Sequence, residues 1–235
     1  MRPSRKTSGG DPVSKTRRMF IQGATGVISA VAASGLKAAG AAAKGRSGKR
    51  GAAGSHREMQ CVITGQTKSG KSVIVSHASV KAVTVGMLPG DEFYRLWGSD
   101  SMVALPSDGT PPLQPQFFPP KNGFRFGMFT LPPATSTTAP QSPTPDLVEE
   151  MKEKLPGLLE FLEPDHPGMH ATDTVDFDVV VSGEVVLELD DGVEVVLKAG
   201  DCVIQNGTRH AWHNRSSEKC VIVFSLIGAD RKRTT

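Results

Sequence analysis

Downstream of residue 170 the chain is written in short apolar runs rich in Val, Ile and Leu, punctuated by Gly, Asp and Asn. Runs of that length and composition predict β-strands. They fall at Thr174–Val181, Glu184–Leu189, Val193–Leu197, Cys202–Gln205, Arg209–His213 and Lys219–Ile227. Asp190-Asp191-Gly192 between the second and third is a strong hairpin signal. Several of these runs are apolar on both faces, as a closed or dimer-covered sheet requires, so this region predicts a barrel.

Upstream the pattern is looser. Gln60–Gly65, Lys71–Ser76 and Ala82–Leu88 read as three strands of an N-terminal ribbon. Prolines recur from Leu105 to Gly123, which predicts a surface loop, and Phe124–Leu131 alternates like an edge strand. Pro132–Pro145 is Ser-, Thr- and Pro-rich, of the composition that stays mobile. Asp146 is placed to cap a brief helix over Leu147–Lys154, stopped by Pro156, and Leu158–Leu162 can add a turn. The resulting class is all-β, with an N-terminal ribbon and one short helix.

Gly65-Gln-Thr-Lys-Ser-Gly70-Lys71-Ser72 matches the phosphate-binding loop letter for letter. A working loop of that kind needs Lys-Ser to open a helix. Here Val73-Ile-Val follows, and β-branched residues favour a strand, so a hairpin turn is the expectation.

Charge changes the picture of partners. The formal net charge is +3, but residues 1–57 hold 12 of the 27 Lys and Arg and one of the 24 acids, so the remainder is an acidic body of net charge −8. The basicity belongs to a leader and does not argue for nucleic acid. Thr16-Arg17-Arg18-Met19-Phe20-Ile21-Gln22 precedes a weakly apolar run from Gly23 to Leu36 and the small residues Ala41-Ala42-Ala43. The arrangement resembles a bacterial twin-arginine export signal over residues 1–43, with 44–57 as a flexible tether. It implies export to the periplasm or beyond; an organellar transit peptide, or a basic tail on a cytoplasmic protein, is the alternative. The apolar run is too short and glycine-rich for a stable membrane span. Cys61, Cys202 and Cys220 are odd in number and widely spaced, so no disulfide framework is implied; Cys202 and Cys220 read as small buried strand residues.

Candidate chemistry concentrates in two stretches. One runs His170-Ala-Thr172-Asp-Thr-Val-Asp176 to Gly183; the other runs Gly200-Asp201 through Gly207-Thr-Arg-His210 to Asn214. Their order and spacing resemble the paired motifs of the cupin family, small jelly-roll barrels, over roughly residues 165–228. Thr172 stands where the family has a second histidine, Asp176 replaces the usual Glu, and Gln205 replaces a usual Pro. The wider order, with Val-Ile-Thr-Gly, Gly-Lys-Ser-Val-Ile and Phe-Pro-Pro-Lys-Asn-Gly-Phe-Arg-Phe ahead of those motifs, resembles single-domain cupins of bacteria and of fungal polyketide clusters, some described as oxidoreductases.

The resemblance implies a cupin-type jelly-roll β-barrel core at 165–228, the ribbon and Pro-rich loops of 58–164 packing on it, and a basic tail at 229–235. It implies His170, Asp176 and His210 as ligands of a divalent transition metal (Fe, Mn, Ni or Zn), in a set that leaves positions open for substrate. Thr172, Gln205 and Trp212 are expected to shape the substrate pocket. The function expected is a metal-assisted oxidoreductase acting on a small aromatic or polyketide-like molecule, in a homodimer. The alternative is a non-enzymatic small-molecule-binding cupin with a degenerate, metal-free site. His166 and His213 are reserve ligands, although alternation turns His213 away from the side His210 faces. Asp178 shares a face with Asp176, as a partner to it or an exposed acid.

Overall fold

The computed structural model describes residues 58–136 and 143–232. The leader, the tether, part of the Pro-rich stretch before the helix and the last three residues of the basic tail lie outside the described residues. Among the described residues no helix is long and apolar enough to cross a membrane.

Among the described residues ten strands and one α-helix make an all-β fold of jelly-roll type. β1 (Met59–Gln66) and β2 (Ser72–Val80) form the N-terminal ribbon, antiparallel with a bulge after Ile63. Its turn is closed by Gly70 N–H donating to the Thr67 carbonyl at 2.9 Å, with Gly70 at φ +80°. Lys71-Ser72 therefore opens a strand, and the phosphate-loop letters are spent on a hairpin. Gly65 lets the ribbon lie against the Pro-rich loop, because a Cβ there would stand 2.2 Å from the Asp108 carbonyl oxygen.

The main sheet has the order β3-β4-β10-β5-β8, from β3 (Glu92–Ser99), β4 (Phe124–Leu131), β5 (Thr174–Ser182), β8 (Cys202–Asn206) and β10 (Cys220–Gly228). A second sheet has the order β7-β6-β9, from β6 (Glu184–Glu188), β7 (Glu194–Lys198) and β9 (Ala211–His213). β5 alternates buried positions with exposed or partly buried ones over most of its length, and β10 alternates buried positions with mostly half-buried ones. Their inward residues Val180, Cys220 and Ile222 pack with Val185, Leu187 and Leu197 of the second sheet into one apolar core. Gly183 makes the corner between β5 and β6 at φ +77°, where a Cβ would meet the Lys219 carbonyl oxygen at 2.5 Å. Asp191 and Gly192, at φ 59° and 71°, supply the two left-handed positions of the expected β6–β7 hairpin.

Two upstream expectations are corrected and one strand is added. Ala82–Leu88 is not a strand: it makes one bridge, Val83 with Phe93, and its Gly86 N–H donates to Glu150 Oε2 of the helix at 2.8 Å. Glu92–Ser99 is a strand that the pattern concealed, because a bulge between Arg95 and Trp97 breaks its alternation. Phe124–Leu131 is an interior strand, paired on both sides by β3 and β10.

Helix α1 (Pro145–Lys154) starts two residues earlier than its composition suggested, with Thr144 in place of Asp146 as N-cap and Pro145 in the first turn. It buries Met151 and hands the chain on to Leu155 and Leu158, which join Phe93, Phe117, Phe224 and Leu226 in a second apolar cluster. A short 3₁₀ turn over Leu159–Phe161 follows.

Candidate functional site

β5 and the segment preceding β9 place the site. Thr174, Asp176, Asp178 and Val180 are the buried positions of β5, so two carboxyls project to the interior side. His170 and His210 form a two-residue antiparallel bridge, each backbone N–H donating to the other's carbonyl at 2.9 Å. That pairing sets their rings 4.3 Å apart, centroid to centroid. Trp212 lies two residues beyond His210 on the same side, its ring 5.8 Å from the imidazole and nearly perpendicular to it.

These groups line a cavity of about 140 Å³. Its walls come from Phe93, Phe129 and Phe224 of the main sheet and from Phe117 and Phe118 of the Pro-rich loop, and Leu158 and Leu162 after the helix complete it. His170, His210, Asp176, Asp178, Trp212 and Asp91 supply the polar side chains in its lining.

Both histidines are held in one tautomer. His170 Nδ1 stands 3.0 Å from the Gly168 carbonyl and His210 Nδ1 stands 2.9 Å from the Thr208 carbonyl. A carbonyl can only accept, so each Nδ1 carries the proton and each neutral ring keeps Nε2 as a bare lone pair. Burial lowers the His170 pKa, and burial together with the neighbouring His170 lowers His210 to about 4, so both rings are neutral near pH 7.

The carboxyls move the other way. Burial raises Asp176 to about 6, although the Thr174 hydroxyl donates to it, and raises Asp91 to about 7. Asp178 rises to about 8, through burial first and the adjacent Asp176 second. Among the described residues no salt bridge reaches any of the three. Asp176 is 5 % exposed and its Oδ1 has no hydrogen-bond partner.

The expected residues divide. His170, His210, Asp176 and Trp212 come together at one cavity. Thr172 and Gln205 are buried but are not among its lining residues. The Thr172 hydroxyl pairs with that of Thr174 at 2.7 Å, while Gln205 Oε1 accepts from Thr208 Oγ1 at 2.7 Å and its Nε2 is left without a partner. His166 and His213 both reach Glu188, at 3.2 and 2.6 Å, so the reserve ligands belong to a separate ion-pair cluster. Asp178 is 6 % exposed, not a surface acid, and Asp91, from the turn before β3, joins a cavity to which no motif assigned it. All three cysteines are free, and Cys202 is exposed, not buried.

A metal would find two well-oriented imidazole nitrogens, but not the expected third ligand. Among the described residues no group of three His, Cys, Asp or Glu side chains stands close enough to hold a metal ion. The arrangement His170, Asp176 and His210 does not fit a three-ligand centre.

A jelly roll whose paired histidines face an interior cavity is the architecture of a cupin domain, and residues 159–226 match the family model described as Cupin domain. The fold is of the cupin jelly-roll type. Similar proteins include two named for biosynthesis clusters and one named as an oxidoreductase. The chain is 50 % identical over 48 residues to Phomopsin biosynthesis cluster protein C' of Diaporthe leptostromiformis, covering 20 % of this chain and 25 % of that one. It is 47 % identical over 55 residues to Oryzines biosynthesis cluster protein J of Aspergillus oryzae, covering 22 % and 31 %. It is 37 % identical over 46 residues to the Cupin-domain-containing oxidoreductase virC of Hypocrea virens, covering 20 % and 24 %. The matches thus span between about a quarter and a third of the length of these relatives.

Proposed function

We propose that this protein is a small-molecule-binding cupin whose ligand enters the aromatic cavity without needing a metal. One observation carries the reading: a cavity of about 140 Å³ walled by aromatic rings, into which neutral imidazoles and carboxyls without counter-ions project. Apolar walls with a few convergent polar groups are the usual recipe for a small-ligand site. The aromatic faces take the body of the ligand, while the bare Nε2 atoms and the carboxyls fix its orientation.

A second reading is a metal-assisted oxidoreductase acting on a small aromatic or polyketide-like molecule. It is favoured by the two imidazoles, whose Nδ1 atoms are tied to carbonyls and whose Nε2 atoms are free. It requires Asp176 to move to them before Fe, Mn, Ni or Zn would find three protein donors, because as placed the three side chains form no such group. The relative named as an oxidoreductase supports it over a short segment.

One experiment separates the two. Protein matured in a native-like host is assayed for transition metal by mass spectrometry beside a His210→Ala variant, then tested for ligand-dependent thermal shift before and after chelation. A shift that survives chelation supports the metal-free reading. Stoichiometric metal that vanishes in His210→Ala, with a shift abolished by chelation, would establish the second.

Export and self-association belong to the proposal as well. Arg17-Arg18 and the segment after them support a twin-arginine route, and cell fractionation of the Arg17→Lys, Arg18→Lys double variant tests it. The outer face of the main sheet carries Phe126, Phe177 and Ile204 in one row across β4, β10, β5 and β8, all exposed, and that row supports a homodimer measurable by light scattering.

A further inference from the structure

The lining of the cavity is lopsided in its chemistry. No Lys or Arg side chain reaches it, and its acids are Asp91, Asp176 and Asp178. Asp176 and Asp178 are more than nine-tenths buried, and neither has a cationic partner. Asp176 Oδ1 has no hydrogen-bond partner at all. The two imidazoles add lone pairs, because their protons are already committed to backbone carbonyls. Apart from the Trp212 indole N–H, the side-chain polar groups of the cavity can act only as acceptors when its carboxyls are ionised.

Around these acceptors stand Phe93, Phe117, Phe118, Phe129, Phe224 and Trp212. Aromatic faces attract a cation held within about 6 Å of the ring centre, Trp most strongly. Unpaired buried carboxylates attract the same charge and are costly to leave uncompensated. An anion would find no Lys or Arg in the lining and would be repelled by each of the three acids once ionised. A neutral ligand would fill the space but leave the carboxyls as they are. Size narrows the choice, since an apolar cavity of about 150 Å³ accepts one benzene ring.

Resting on the small-molecule reading above, we propose that the ligand of this cavity is a small organic cation: a protonated amine on a single apolar or aromatic ring. The ammonium lies at Asp176 and Asp178 and donates to an open imidazole Nε2. The ring packs against Trp212 and the phenylalanines.

The test is calorimetric titration of the full chain after chelation, at a pH above 8 where Asp176, Asp91 and Asp178 are ionised and an alkylammonium still keeps its proton, with three ligands of one shape: benzylamine, benzyl alcohol and benzoate. Charge-assisted hydrogen bonds separate a matched from an unmatched ligand by roughly tenfold or more. Benzylamine should therefore bind at least about tenfold more tightly than benzyl alcohol, benzoate should bind most weakly, and Asp178→Asn should erase the advantage of the amine. Equal binding of amine and alcohol would overturn the cation while leaving the small-molecule cavity standing. Absence of binding by all three would overturn both. Should Asp178→Asn fail to fold, the wild-type comparison of the three ligands still decides.

Discussion

At the residue scale the account rests on where protons sit. With Nδ1 of His170 and His210 each donating to a backbone carbonyl, nitrogen-resolved NMR should show both rings as Nδ1–H tautomers at pH 7. Because burial and the neighbouring ring lower His210 to about 4, it should remain neutral well into the acid range, where an ordinary histidine is charged. A His210 that titrates near 6.5 would mean that the ring is solvated and does not belong to a buried pair. The histidine pair was legible in the sequence, since the resemblance of the two stretches to the paired cupin motifs singled out both residues. Asp178 was half legible: alternation put it on the face of Asp176, but nothing in the letters distinguishes a buried strand acid from an exposed one. Asp91 was not legible, because it enters from a turn outside either motif. Thr172 and Gln205 were assigned to the pocket by motif position, whereas their hydroxyl and amide oxygen are engaged with Thr174 and Thr208.

At the element scale, the six strands after residue 174 were legible because turn residues and β-branched runs coincide there, and local preference agrees with the fold. Upstream, tertiary contacts decide. Val85 is buried against the helix-borne cluster, and Glu150 and Lys154 of α1 take the Gly86 N–H and the Thr84 carbonyl, so that segment follows the helix instead of a sheet. The link between cavity and surface is Arg209, next to His210. It binds both oxygens of Glu163 at 2.6 and 2.7 Å and Asp190 at 2.8 Å, pinning the segment after α1 to the β6–β7 turn. These pairs are partly exposed, so Arg209→Ala should cost only about 1 kcal/mol of stability. The same variant should accelerate proteolysis between Leu155 and His170, near the residues that cover the cavity. Unchanged cleavage there would show that Arg209 does not hold that segment.

At the scale of the whole molecule, one core joins the two sheets. Ile222 is fully buried between them, and Ile222→Ala should cost about 2–5 kcal/mol, read as a lower urea midpoint. A loss near zero would mean the sheets are not packed through that residue. Stability should also depend on pH with a definite sign. Asp178 holds its proton to about 8 and Asp91 to about 7 when folded, whereas an unfolded aspartate loses it near 3.8. Such groups favour folding at low pH, and the advantage is lost as pH rises through the folded values. The depressed histidines work oppositely, but only below about 6.5. From pH 6.5 to 8.5 the carboxyls dominate, joined with the same sign at the upper end by the Cys220 thiol that burial raises to about 11, so the urea midpoint should fall, and Asp178→Asn should flatten the decline. A midpoint that rises over that range would contradict the burial of these acids.

The central claim is that the space among His170, His210 and Trp212 is a ligand cavity that works without metal. The most direct measurement is a crystal structure of chelated protein soaked with a single-ring ligand. The account predicts ring density against Trp212 and Phe129, with no metal peak between the imidazoles. A cavity filled by rearranged side chains, or a ligand that appears only when metal is restored and Asp176 has swung to the histidines, would contradict it.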